Sequence, residues 1–199
     1  MLSRALRPGV AVAVLTLASS VQATMLMQFN LKELATHADR VFRGRVVGVE
    51  TGTVHAGGGE LPSITYRLKV DESFKGEYAV TKGDTSFVEI RMVGAKSDTT
   101  TPEGQRHFSA FREVPRLEMN GEYVLFTTRP SSVGLSTTVG LGQGAFRIVD
   151  TGKNEEAVNA FNNVGLRRGL APSAVPSLPE SGPISYPQLA AAIRNVLSK

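Results

Sequence analysis

Apolar and polar residues alternate along much of the chain between positions 41 and 149, with the two-residue period of strands that bury one face. Ile64, Tyr66, Leu68 and Val70 alternate with Thr65, Arg67, Lys69 and Asp71, and Phe74-Lys75-Gly76 closes that run. Val88, Ile90 and Met92 alternate with Glu89 and Arg91. Val41 to Val49 is β-branched and extended in character, and Gly44 and Gly48 inside it predict a bulge or a tight bend. Gly121 to Thr128 is mostly apolar, as a central strand buried on both faces would be. Thr137 to Val149 is read as a fifth strand with Gly140, Gly142 and Gly144 on one face. Residues 51–62 read as a turn-rich loop, and residues 94–116 as a long polar loop without a period.

Helical signals lie at the two ends of this pattern. Asn30 and Glu33 have the spacing of a capping box, and Leu31, Leu34, Ala35 and Ala38 then share one helical face up to about Asp39. Glu155 to Phe161 reads as a helical turn. Residues 171–183 hold four prolines and three serines and read as an extended linker. Pro187 starts a final segment whose Leu189, Ile193, Val196 and Leu197 form an apolar stripe, the mark of an amphipathic helix that docks back or meets a partner.

The chain's first residues read as an address. Arg4 and Arg7 precede a ten-residue apolar stretch, Gly9–Ala18, and Val21-Gln22-Ala23 has the small-x-small form that signal peptidase accepts. The stretch is shorter than the roughly 20 residues that span a bilayer. The expectation is a signal peptide over 1–23, a β-barrel domain over 24–169, a Pro/Ser-rich linker over 170–183 and a C-terminal helix over 184–199. The protein would be exported to the periplasm or the extracellular space, with no membrane anchor. The chain carries +4, and removing Arg4 and Arg7 leaves +2, too little to argue for nucleic acid. Cysteine is absent, so an exported form has no disulfides and its core must hold it together. Five strands with an N-terminal helix and glycine bends predict a mainly β fold: a small five-stranded OB-like barrel with a short N-terminal helix and a C-terminal amphipathic helix.

These segments resemble a family of uncharacterised exported bacterial proteins. The resemblance rests on Ala38 to Glu50 (ADRVFRGRVVGVE), on the charged strand ending in Lys75-Gly76, on Gly121-Glu122-Tyr123-Val124-Leu125-Phe126, and on Gly140-Leu141-Gly142-Gln143-Gly144-Ala145-Phe146. It covers about residues 30–166. It implies a barrel similar to the netrin and tissue metalloproteinase-inhibitor modules, in a family some of whose members lie near secreted zinc metalloproteases of the matrixin type. The inhibitors' N-terminal cysteine mechanism does not carry over, because this chain has no cysteine.

Catalytic and cofactor motifs are weak. Gly140-x-Gly142-x-Gly144 suggests a phosphate loop only loosely, since a dinucleotide fingerprint must open a helix and a strand is expected to continue here. His37, His55 and His107 lack the mutual spacing of a zinc site. Gly134-Leu135-Ser136-Thr137-Thr138 lacks the second glycine of a nucleophile elbow. No metal and no cofactor is therefore expected. The loop of 94–116 carries the binding candidates Arg106, Phe108, Phe111 and Arg112, because arginine and aromatic side chains anchor protein interfaces. The first expectation is an exported, non-catalytic module that binds a protein partner in the envelope or secreted fraction, acting with a secreted protease. The alternatives are a hydrolase with an unrecognised site and a barrel that binds oligosaccharide or nucleic acid.

Overall fold

The computed structural model describes residues 27–81, 85–94, 114–173, 175 and 178–198; the expected signal peptide lies outside them. Helix α1, Leu31–His37, opens with the expected capping box: Asn30 Oδ1 accepts from Glu33 N–H at 2.9 Å, and Asn30 N–H donates to the Glu33 carboxylate at 2.7 Å. The strands are β1 (Arg40–Ala56), β2 (Gly59–Lys75), β3 (Ala79–Thr81), β4 (Thr85–Val93), β5 (Glu122–Thr127), β6 (Ala145–Asp150), β7 (Glu155–Asn159) and β8 (Ile184–Ser185). Helix α2, Tyr186–Leu197, follows β8 and has a proline in its first turn.

The fold is mainly β, but it is not a five-stranded barrel. One antiparallel sheet runs in the order β3-β4-β2-β1-β5-β6-β7-β8 and stays open at both ends. Three local differences produce this. Residues 51–62 are not a loop: Thr51, Thr53 and Val54 extend β1, Gly57 and Gly58 supply the two positive φ angles of a tight hairpin turn, and the chain returns as β2. Glu155–Asn159 is a strand and not a helical turn, because Ala157 alternates into the core while β6 offers a free edge. The glycine run is not strand either: Gly140 takes φ 62°, Leu141–Gly144 form a 3₁₀ turn, and β6 begins only at Ala145. The bends expected at Gly44 and Gly48 are present as register shifts between β1 and β2, and a Cβ at Gly44 would lie 2.6 Å from the Lys69 carbonyl oxygen.

Apolar clusters lie on both faces of the sheet. Ile64, Tyr66 and Leu68 of β2 meet Met92, Ile90 and Val88 of β4 across the ladder, and Phe42, Tyr123 and Leu125 extend that cluster. On the other face Val41, Val124, Phe126, Phe146 and Ala157 pack beneath α1 and α2. The alternation along β5 therefore serves both clusters, which makes it the central strand its sequence suggests. The segment read as a linker contributes buried Val175 and Leu178 to the helical side, and α2 adds Tyr186, Leu189, Ala190, Ile193 and Val196. The C-terminal helix thus packs into the core and against α1. Among the described residues no helix is long and apolar enough to cross a membrane.

Candidate binding surface

Arg106, Phe108, Phe111 and Arg112 lie outside the described residues, as does His107. What the structure describes is the ground from which their segment leaves and to which it returns. The chain departs after β4, where Gly94 N–H donates to the Pro62 carbonyl at 2.9 Å, and re-enters at Val114. Val93 and Val114 both line an open cleft of about 360 Å³, with Leu135 and Leu141 as further apolar wall and Thr128 and Ser136 as hydroxyl-bearing wall. A hydrogen-bonded turn shapes the far side. Ser131 N–H donates to Leu135 O, Ser131 Oγ accepts from Leu135 N–H, and Ser136 N–H donates to Arg91 O, fixing the turn to β4. Thr137 Oγ1, in the wall of this cleft, is buried and has no hydrogen-bond partner among the described residues.

A second groove of about 310 Å³ lies on the continuation of the same segment. Its wall includes Pro115, Leu117, Tyr123, Ala145, Arg147 and Val158. Tyr123 Oη accepts from Glu118 N–H at 2.9 Å, and Arg147 grips the Glu118 carboxylate with two hydrogen bonds of 2.7 and 3.1 Å. Residues 114–118 thus form a pinned strip flanked by two grooves. The sequence marked the loop itself; the grooves at its foot had no sequence signal, because they are built by residues far apart in the chain.

The most strongly coupled charges lie elsewhere, at the seam between sheet and α2. Arg43 on β1 donates from Nε to Glu122 at 2.5 Å and from its two terminal nitrogens to Glu155 at 2.9 and 2.6 Å. Its guanidinium carbon stands 4.1 Å over the Tyr186 ring. Tyr186 Oη donates to Glu72, which also pairs with Arg194. Burial works against the Arg43 charge, but the hydrogen bonds to Glu155 and Glu122 outweigh it and raise the pKa. Those same bonds hold the Glu155 carboxyl below its usual value. Burial raises the Tyr186 phenol, and the hydrogen bond to Glu72 adds to it. Burial also raises Tyr66, and pushes Tyr78 up to about 12. Every one of these shifts moves the group away from neutral pH, the opposite of what a general acid or base needs.

The remaining sequence candidates stay apart. His37 is exposed, with Nδ1 2.8 Å from the Glu33 carbonyl oxygen, and His55 lies on the exposed β1–β2 hairpin 3.5 Å from Glu60. Among the described residues no three His, Asp or Glu side chains group as metal ligands. The glycine run serves packing: a Cβ on Gly144 would sit 2.4 Å from the Val139 carbonyl oxygen. Beside it, buried Gln143 accepts from Phe29 N–H and donates to Met27 O, both at 2.9 Å. Asn159 Nδ2 donates to Gln143 O, and Asn163 donates to both Ala157 O and Gly182 O. This amide chain ties the segment before α1 to β7 and to the approach to β8. No protein-family model matches the chain, and no curated protein matches it at a significant level.

Proposed function

We propose that this chain is an exported, non-catalytic binding module for another protein, acting with a secreted protease, and that the 94–116 segment forms its interface through Arg106, Phe108, Phe111 and Arg112. The observation that supports this most is the strip 114–118, pinned at Glu118 and flanked by grooves of about 360 and 310 Å³. Apolar clefts with a few polar groups are suited to receive side chains of a partner. The shifts of Arg43, Glu155 and Tyr186 fit a structural role, because the hydrogen bonds among them and to Glu122 and Glu72 tie the sheet to α2. Export rests on the leader pattern of residues 1–23, and the protease association on the family resemblance.

Capture of proteins from a secreted fraction on the immobilised protein, beside a broad hydrolase screen of the same preparation, tests this reading. A specific protein partner and no turnover are expected. Turnover of any ester, peptide or glycoside substrate, lost on mutation of a single residue of this chain, would contradict it.

A further inference from the structure

The β1–β2 hairpin carries a strand edge that is unpaired among the described residues, and its pairing with β2 fixes its direction. β1 pairs with β5 only from Arg40 to Arg45; Val46 then bonds through both its N–H and its C=O to Gly121 and Asn120. After a register shift at Val47, β1 runs on to Ala56 paired, among the described residues, with β2 alone. Pro62 of β2 stands opposite Thr53. It has no N–H, and its carbonyl accepts from Gly94 on the far side. Thr53 and Pro62 are therefore a non-hydrogen-bonded pair, so the N–H and C=O of Thr53 point away from β2. By alternation those of Val49, Thr51 and His55 point the same way.

We infer that this edge is a self-association surface on which two copies of the chain pair β1 to β1, antiparallel across a two-fold axis. The edge from Val47 to Ala56 has no proline and no lysine, two devices that block strand addition, whereas the opposite edge of the hairpin carries Pro62. Its only ionisable residues are Glu50 and His55. Among the described residues the sheet's terminal strands β3 and β8 have only three and two residues, and the stretch of β4 beyond β3 is crossed at Arg91, whose carbonyl accepts from Ser136 N–H. A second β1 edge is already extended along its full length, so it joins without the ordering cost that a flexible segment would bear. Pairing must join outward-facing residues. A two-fold axis at Gly52 does so: it sets Thr51 opposite the second copy's Thr53, and Val49 opposite its His55. Glu50 then faces Val54, so no like charges oppose. The two Gly52 residues meet at the close spacing of a non-hydrogen-bonded pair. This surface is separate from the clefts beside residues 114–118 and does not depend on their role.

The chain's lack of cysteine allows a direct trap. At Gly52 a Cβ would have only Ser63 Oγ near it, at 3.8 Å, so Gly52→Cys is accommodated. Purified G52C under a mild thiol oxidant is expected to form a covalent dimer faster than Glu60→Cys, whose thiol lies on the opposite strand. Sedimentation equilibrium of the wild type up to about 1 mM, the weak end of specific association, is expected to show a monomer–dimer equilibrium. Thr51→Pro removes one outward N–H, and Thr53→Lys adds an edge charge; each is expected to shift this equilibrium at least tenfold toward monomer with unchanged thermal unfolding. A wild type that stays monomeric throughout, a G52C that crosslinks no faster than E60C, or a folded T53K that still dimerises like wild type would overturn the proposal.

Discussion

Arg43 holds a charge where water barely reaches it, with 14% of its side chain exposed and Glu122 at 13%. A charge taken out of water that far is tolerable only when it is paired and hydrogen-bonded. Arg43→Leu leaves the buried Glu122 carboxylate with the exposed Arg45 as its remaining partner and is expected to cost about 2 kcal/mol in urea unfolding. Glu155 is the more exposed partner, and its effect shows in pH dependence. Its carboxyl is held below the usual 4.5 by the Arg43 hydrogen bonds. Below that value the unfolded chain takes up a proton that the folded chain refuses, so stability falls with falling pH until the folded carboxyl protonates as well. Glu155→Gln is expected to flatten the acid limb of stability against pH. Tyr78 has the opposite sign. Its folded pKa of about 12 lies above the ordinary 10.0, so its contribution is complete below pH 10 and is lost as pH rises towards 12. Tyr78→Phe keeps the ring against Phe42, loses the bonds to the Val41 and Lys75 carbonyls, and is expected to flatten the alkaline limb.

α2 makes the largest demand among the elements. A helix joined through a Pro/Ser-rich stretch would leave the rest of the fold intact when removed. Here it buries Leu189 and Ile193 completely and sets Tyr186 under Arg43. Truncation after Gly169 is therefore expected to abolish cooperative thermal unfolding. Leu189→Ala is expected to cost about 2–5 kcal/mol through the cavity it leaves. The helix itself was legible in the sequence, from Pro187 and the apolar stripe; its docking was not, because the stripe does not name its partner. The same holds elsewhere. The alternation of Ile64–Val70 and Val88–Met92 gave strands in place, and Asn30 with Glu33 gave the start of α1. The β1–β2 hairpin was hidden because residues 51–62 look polar and glycine-rich, yet Gly57-Gly58 between Thr51–Val54 and Leu61–Ile64 is the hairpin signal itself. β7 was hidden because five residues fit a helical turn or a strand equally, and β6 decides between them. The candidate site was legible only as a long loop; the grooves need distant residues brought together.

At the scale of the whole molecule, the described residues form one open sheet with an apolar cluster on each face, covered on one side by two helices. Its tightly held polar groups serve that architecture. Arg43, Glu72 and Tyr186 join sheet to helix, and Gln143, Asn159 and Asn163 join the segment before α1 and the approach to β8 to the sheet. The function we propose rests on the surfaces that this frame presents, above all the 94–116 segment and the grooves at its foot. The most direct test is calorimetric: titrate a protein partner captured from the secreted fraction into wild type and into the Phe108→Ala, Phe111→Ala, Arg112→Ala triple variant, with thermal unfolding of both. Affinity is expected to fall about 30-fold or more, the effect of losing about 2 kcal/mol at central anchors, with the unfolding midpoint unchanged. Equal affinity in a fully folded triple variant would contradict the account.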